Sequence, residues 1–295
     1  WPMIAIGFAI NIHQRGRASL ERVEELTGYQ PVITDPPRPF LPEKSPETLS
    51  VEIRDLTFAF GEGAPVLENI SLSIAPGETV GLIGRIGSGK STLVKLLSRL
   101  LKTEDETILF NGVDINRYKL NDLRALISYV PQEPFLFSTT IRENVAYYDS
   151  SLDDEAVTEA LRKADLSDTI AEMPAGLDTS LGERGVNLSG GQKQRMTIAR
   201  AILKDAPFFI FDDSFSSIDT DTEERILTAL APLFENKSVL IIAHRISTLR
   251  YADRIIVMDE GRIVEEGTHQ ELLDSRGAYY DIFNRQKLEE KLGRE

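Results

Sequence analysis

The segment Gly84-Arg85-Ile86-Gly87-Ser88-Gly89-Lys90-Ser91 constrains this chain more than any other stretch. It fits G-x-x-x-x-G-K-[ST], follows the apolar run Thr79–Ile83 and precedes the helix-forming run Thr92–Leu101. That order predicts a strand, a phosphate-binding loop and a helix. The glycines let backbone N–H groups turn toward one point, and the helix N-terminus adds positive potential there. In such a loop Lys90 reaches the β- and γ-phosphates of ATP and Ser91 binds Mg²⁺, while Gly84, Gly87, Ser88, Gly89 and Thr92 complete the cradle. At average residue usage a match arises in roughly one window in 30,000, about a 1% chance over this length. The flanking strand and helix signals lower that further.

A second apolar strand, Phe208-Phe209-Ile210-Phe211, ends in Asp212-Asp213. An acid at the end of a buried strand beside a phosphate loop is where an Mg²⁺-binding carboxylate belongs, so Asp212 is the candidate. Taken alone, an apolar run ending in an acid is also an ordinary strand end. Strand signals at Val51–Arg54, Thr79–Ile83, Pro207–Phe211, Val239–Ala243 and Arg254–Met258 alternate with helical stretches, the pattern of an α/β domain. Several are continuous apolar runs, as strands covered on both faces require. Between about Ser138 and Lys204 helical signals dominate, Asp153–Ala164 among them, which predicts an inserted helical subdomain. Ala278–Leu288, with Tyr280, Phe283 and Leu288 at near-helical spacing, predicts a terminal helix.

The charge balance bears on partners. With 33 Lys plus Arg against 47 Asp plus Glu the net charge is −14, and no long basic run relieves it, so nucleic acid is not an expected partner. The absence of cysteine excludes disulfides, thiolate metal sites and a cysteine nucleophile. Three histidines without cysteine make a zinc site a poor fit, and His13 and His269 read as solvated surface residues.

At the start of the sequence, Trp1–Ile12 is apolar apart from Asn11 and is followed by His13, Arg15 and Arg17. As a helix this run rises about 18 Å, short of the ~20 residues a membrane span needs. It reads either as a buried amphipathic helix or as the cytoplasmic end of a spanning helix with arginines inside. Leu20, Val23 and Leu26 continue the helical spacing. Then Pro31, Pro36, Pro37, Pro39, Pro42 and Pro46 fall within 16 residues and predict an extended linker. The expected organisation is 1–29 helical stub, 30–48 linker, 49–275 nucleotide-binding domain and 276–295 terminal helix.

Further motifs carry a family resemblance. Leu188-Ser189-Gly190-Gly191-Gln192 matches the LSGGQ signature of ATP-binding-cassette proteins, and it lies between the phosphate loop and the acidic strand as in that family. Gln132 in Val130-Pro131-Gln132 resembles the Q-loop, Ser217-Ile218-Asp219 the D-loop, and His244 the switch histidine. Thr179-Ser180-Leu181-Gly182-Glu183-Arg184-Gly185 is similar to the loop before the signature in exporter subunits. Phe60 occupies the place of the aromatic that stacks on adenine, where the family usually has Tyr; its other reading is a core aromatic beside Phe58. The resemblance spans residues 49–275, and the stub, with Arg15-Gly16-Arg17-Ala18-Ser19, resembles the end of the sixth membrane helix of fused exporters.

The resemblance implies a P-loop NTPase core, a RecA-like mixed sheet with helices on both faces, plus a small antiparallel β region and the helical subdomain. It also implies a motor domain at the cytoplasmic face of the membrane, joined to a transmembrane domain outside this sequence. Two cassettes meet head to tail in that family, so ATP would lie between Lys90 and a second subunit's signature. Ser189, Gly190, Gly191 and Gln192 would serve the partner's nucleotide in turn. Gln132 would add to the Mg²⁺ shell set by Ser91 and Asp212, and Lys90, Gln132, Asp213 and His244 would carry the chemistry. One residue departs from the pattern: Asp213 stands where exporters usually carry Glu. Asp and Glu differ little in acidity, about 3.9 against about 4.3, so the difference is reach. A retreat of about 1 Å can cost ~10²-fold, which predicts a slow site and a Glu-bearing partner in a heterodimer; the alternative reading is that backbone or water shifts and Asp works normally. Rival readings are an ATP-gated clamp with negligible hydrolysis and a soluble cassette ATPase. The soluble class would need a second cassette or a basic surface.

Overall fold

A computed structural model gives the architecture and describes residues 1–41, 46–149, 151–182 and 188–292. Pro42 and, from the loop before the signature, Glu183, Arg184 and Gly185 lie outside the described residues. Two units are distinguished, Trp1–Thr34 and Asp35–Glu295. The first holds helix α1 (Pro2–Gly28), whose residues are exposed throughout. Among the described residues no helix is long and apolar enough to cross a membrane.

The second unit is built on a six-stranded sheet. Its strands are β3 (Thr79–Gly84), β6 (Ile127–Val130), β7 (Phe208–Asp212), β8 (Ser238–Ile242), β9 (Arg254–Asp259) and β10 (Arg262–Gly267). The order is β10-β9-β3-β8-β7-β6, parallel except for the β9–β10 hairpin. Every residue of β3, β7 and β8 is buried, which accounts for their unbroken apolar sequences. Side chains still alternate between faces. Val80, Leu82, Phe208, Ile210, Leu240 and Ile242 enter one core, whereas Ile83, Phe209, Phe211, Val239 and Ile241 enter the other.

The first of these cores is closed by helix α2 (Lys90–Leu97) and by a four-stranded antiparallel sheet. That sheet is ordered β2-β1-β4-β5, from β1 (Val51–Ala59), β2 (Pro65–Ile74), β4 (Ile108–Phe110) and β5 (Val113–Asp114). Sequence signals located only the first half of β1, because a register shift between Ile53 and Leu56, with Asp55 at φ 43°, interrupts the alternation. In the same way α2 starts at Lys90 and stops at Leu97 instead of running from Thr92 to Leu101. The loop glycine Gly89 takes the N-cap, and Arg99 at φ 46° ends the turn. The proline-rich segment is anchored where it reaches this core. Asp35 accepts the Leu120 N–H at 2.8 Å, and the Phe40 ring meets Tyr118 edge-on at 5.2 Å.

The second core is covered by helices. These are α4 (Ile141–Val145), α5 (Asp154–Lys163), α6 (Ser167–Ala171), α7 (Gly190–Lys204) and α8 (Thr220–Phe234), while α3 (Leu120–Ala125) precedes β6. Asp153 caps α5 by accepting the Ala156 N–H at 2.9 Å, and Val157, Ala160 and Leu161 form its buried stripe. After β8 and β10 come α9 (Ile246–Leu249), α10 (His269–Ser275) and α11 (Ala278–Leu292).

Of the expectations about the tail, one is borne out and one corrected. The expected terminal helix is present as α11, and of the three apolar residues noted there Phe283 packs on the core, beside Tyr279 and Ile282, whereas Leu288 is 60% exposed. Glu265 sets that phase by accepting the N–H groups of Ala278 at 2.6 Å and Tyr279 at 2.9 Å. His269 is not a solvated residue, because its Nδ1 lies 2.7 Å from the Tyr279 hydroxyl and its ring packs on Phe283. Burial, with nearby Arg250, holds its pKa below the usual value. The same burial raises the Tyr279 phenol to about 12.

The two sheets are joined at the β9–β10 turn. Gly261 there has φ +79°, its carbonyl accepts the Glu68 N–H at 2.9 Å, and an added Cβ would lie 2.4 Å from the Val66 carbonyl oxygen. A side chain is excluded by both backbone conformation and space. Gly261→Ala is therefore expected to cost at least about 2 kcal/mol, read as a lower urea midpoint with the slope unchanged.

Candidate nucleotide site

The site forms where the parallel strands β3, β7 and β8 end. The chain leaves β3 at Gly84 and turns through Gly87 and Gly89, at φ 84° and 98°, into α2. Those left-handed turns wrap the loop around the side chain of Lys90, which is 6% exposed. Its Nζ donates to the carbonyls of Gly84 and Arg85, both at 2.8 Å, and to Ser88 Oγ at 3.2 Å. Burial lowers the Lys90 pKa, and the charges of Asp213 and Asp212 oppose that shift. The lysine thus sits in the loop that sequence assigned to it, with two acids within electrostatic reach. Ser91 is exposed at the loop mouth and Thr92 is half-buried.

Asp212, the last residue of β7, is 5% exposed. Its Oδ2 accepts the Tyr129 hydroxyl of β6 at 3.2 Å. Burial raises the Asp212 pKa first, Asp213 adds to the rise, and Tyr129, Lys90 and Lys95 oppose it. Tyr129 itself is pushed well above the usual phenol range by burial and by the Asp212 charge. Asp213 follows in a left-handed turn at φ 46°, with its N–H on the Ile242 carbonyl at 2.9 Å. Gln132 reaches it, Nε2 to Oδ2, at 3.4 Å. Lys90, Asp212, Asp213 and Gln132 are therefore brought together from three separate strand ends. Among the described residues no group of three or more His, Cys, Asp or Glu could hold a metal. Mg²⁺ does not need such a cage, since it takes one or two carboxylates with water and phosphate oxygens. Asp212 offers one such carboxylate, and the Ser91 hydroxyl is exposed at the mouth of the adjacent loop.

His244 is half-buried just beyond β8, in the segment that leads into α9. Phe60 stands 54% exposed, its ring edge-on to Phe58 at 5.0 Å, so Phe58 takes the inner position and Phe60 the outer. The signature residues begin α7. Ser189 caps it by accepting the Gln192 N–H at 3.2 Å, and Gln192 Oε1 in turn accepts the Ser189 N–H at 2.9 Å. Ser189 and Gly190 are exposed, and Gly191 and Gln192 half-buried. Among the described residues no hydrogen bond or ion pair joins them to loop 84–92.

Sequence reading overlooked several residues that order this region. Gln194 is 1% exposed, accepts the Ser217 N–H at 3.0 Å, and donates weakly to Ser216 Oγ at 3.4 Å and the Gln132 carbonyl at 3.5 Å. It ties the signature helix to both neighbouring loops. Arg245 donates to the Ile218 carbonyl at 2.8 Å and pairs with the buried Glu223 at 3.2 Å. Arg200 lies among Phe137 and Tyr147 and holds the Asn144 carbonyl at 2.7 Å, and burial lowers its pKa to about 10. The available signal was polarity on an inward helical position, as at Gln194.

Comparison with known proteins adds the following. Residues 67–216 match the family described as ABC transporter. A probable multidrug resistance ABC transporter ATP-binding/permease protein, YheI of Bacillus subtilis (strain 168), is 42% identical over 289 residues, covering 98% of this chain and 49% of that protein. An ATP-dependent lipid A-core flippase of Syntrophus aciditrophicus (strain SB) is 43% identical over 285 residues, covering 97% and 47%. The structure of a bacterial Atm1-family ABC exporter with ATP bound superposes with a TM-score of 0.85 at 35% identity, covering 92% of this chain and 47% of that one. The chain spans about half the length of the curated relatives it matches.

The electrostatics lead to a pH-linked prediction. Because the folded Asp212 carboxyl is held above its ordinary 3.8, its stabilising contribution is present below that value and is lost as pH rises through the folded pKa. At neutral pH the buried charge destabilises the ligand-free fold. Asp212→Asn should raise Tm by a few degrees at pH 7 without Mg²⁺, and the gain should vanish below pH 3.8. Calorimetric scans at both pH values check this.

Proposed function

The chain belongs to the ABC transporter family, and from that premise we propose that it is the ATP-binding and ATP-hydrolysing motor domain of an exporter, working at the cytoplasmic face of a membrane. The observation that carries the proposal is the buried Lys90 ammonium, held by loop carbonyls with Asp212 and Asp213 in electrostatic reach. A cation desolvated this way has a strong incentive to exchange carbonyls for phosphate oxygens. The export direction is supported by the names of the relatives, a multidrug resistance protein, a lipid A-core flippase and an Atm1-family exporter.

In this reading the amides of the 84–91 loop and Lys90 grip the β- and γ-phosphates of ATP, and Phe60 offers its exposed face to the base. Ser91, Asp212 and Gln132 would hold Mg²⁺, which when bound supplies charge neutralisation across the phosphate oxygens. Asp213 orients the attacking water, with Gln132 beside it, and His244 faces the γ-phosphate. The exposed Ser189 and Gly190 serve the nucleotide of a second cassette. Ser189 Oγ already accepts the Gln192 N–H, so its hydroxyl hydrogen is the part left to donate outward. Closure around ATP binds one conformation better than the other, and that differential affinity is what moves an attached membrane domain.

Asp213 sets the rate. Its backbone is pinned by the Ile242 carbonyl and by Ser216, whose Oγ donates to the Asp213 carbonyl at 2.9 Å. A pinned backbone leaves little freedom to advance a side chain that is one methylene short. We therefore read this subunit as the slow half of a heterodimer, with a Glu-bearing partner hydrolysing ATP against this chain's signature. Lys90→Ala is expected to abolish calorimetric ATP uptake. Asp213→Glu should raise turnover of the isolated chain about tenfold or more with little change in Kd. Equal turnover of Asp213→Glu and the parent protein would remove the slow-site reading, and undiminished uptake by Lys90→Ala would remove the site.

A further inference from the structure

Helix α11 points Tyr279, Ile282 and Phe283 into the core. The next inward position at helical spacing, i, i+3, i+4, i+7, is Gln286, where an apolar residue would continue the stripe. Its amide does not face solvent passively. Oε1 accepts the Ile246 N–H at 3.0 Å and Nε2 donates to the His244 carbonyl. One side chain thus satisfies both backbone groups flanking Arg245, as a paired strand would.

The need for that pairing lies in α9. This helix is short, and Arg245 at its N-cap makes no side-chain cap, so the first N–H groups lack a local acceptor. Gln286 provides one from a different element. On the other side of the same segment the Arg245 guanidinium holds the carbonyls of Ile218 at 2.8 Å and Ser216 at 3.1 Å. Residues 244–246 are therefore fixed between two anchors. Among the described residues nothing hydrogen-bonds the His244 imidazole, so the backbone that carries it is what is held in place.

We infer that Gln286 is a positioning residue for His244: the terminal helix holds the switch segment by a twin amide–backbone hydrogen bond and so sets where the imidazole is placed. The inference rests on the reading of His244 as the residue that faces the γ-phosphate. It makes α11, which lies beyond the 67–216 family match, a working part of the site. Any displacement of α11 would reach the phosphate through His244.

Gln286→Met tests it, since methionine keeps the length and packing but removes both hydrogen bonds. The protein has three histidines, so its imidazole Cε1–H spectrum has three signals, and His244→Ala identifies the one concerned. His269, packed on Tyr279 and Phe283, reports whether α11 stays docked. The expected result is a shifted or broadened His244 signal with His269 unchanged. Turnover should fall about tenfold in kcat with KM within about twofold, as misplacement of a reacting group predicts. An unmoved His244 signal overturns the inference, and so does a joint shift of His244 and His269, which would mean that the helix had merely come loose. The histidine signals are read whether or not ATP is consumed. A failure of the ATPase reading would show separately, as ATP uptake indifferent to Lys90→Ala.

Discussion

A parallel sheet buried on both faces can release its chain only at its ends, and the carboxyl ends of β3, β7 and β8 all open at the same edge. Loops leaving that edge must satisfy their backbone groups there, next to one another. The 84–91 loop, the Asp212–Asp213 turn and the segment after Ile242 are those three exits. Interactions between them reflect this: Asp213 N–H meets the Ile242 carbonyl, and Ala243 N–H meets Leu82. Packing of Phe209, Phe211, Val239 and Ile241 against the helices keeps that edge in register.

On this frame the protein places charges that its own interior does not favour. Lys90 is desolvated, and burial holds Asp212 above the ordinary carboxylate range. Neither is paired by a short ion pair; the lysine is occupied by carbonyls and the acid by a tyrosine. Each buried charge would gain from a partner of opposite sign, and the site therefore favours a charged ligand. The stability forgone is made up elsewhere, in two apolar cores on opposite faces of one sheet.

Polar side chains, two on helices and one at a helix N-cap, do the wiring between loops. Gln194 joins the signature helix to the segments around Gln132 and Ser217, Arg245 joins the switch segment to Ser216 and Ile218, and Gln286 joins it to the terminal helix. Each is an amide or guanidinium that holds backbone groups. Backbone contacts fix where a segment lies, and the reacting side chain then follows. Such contacts give motifs far apart in the chain a physical basis for mutual adjustment.

The residues from Gly84 to Ser91 declared the phosphate loop unaided, because glycine permissiveness and a lysine at fixed spacing are local properties of the chain. Continuous apolar runs such as Phe208–Phe211 likewise declared buried parallel strands, since burial on both faces leaves no polar alternation. The register shift in β1 and the phase of α11 stayed hidden, one displaced by an extra residue and the other set by Glu265. What only the tertiary structure decided is which inward residues meet. Tyr129 reaches Asp212 across 83 residues, Gln132 reaches Asp213 across 81, and Gln286 reaches His244 across 42. Periodicity tells which way a side chain faces along its own element. The partner across from it depends on how the layers stack, a property of the assembled cores and not of any one segment.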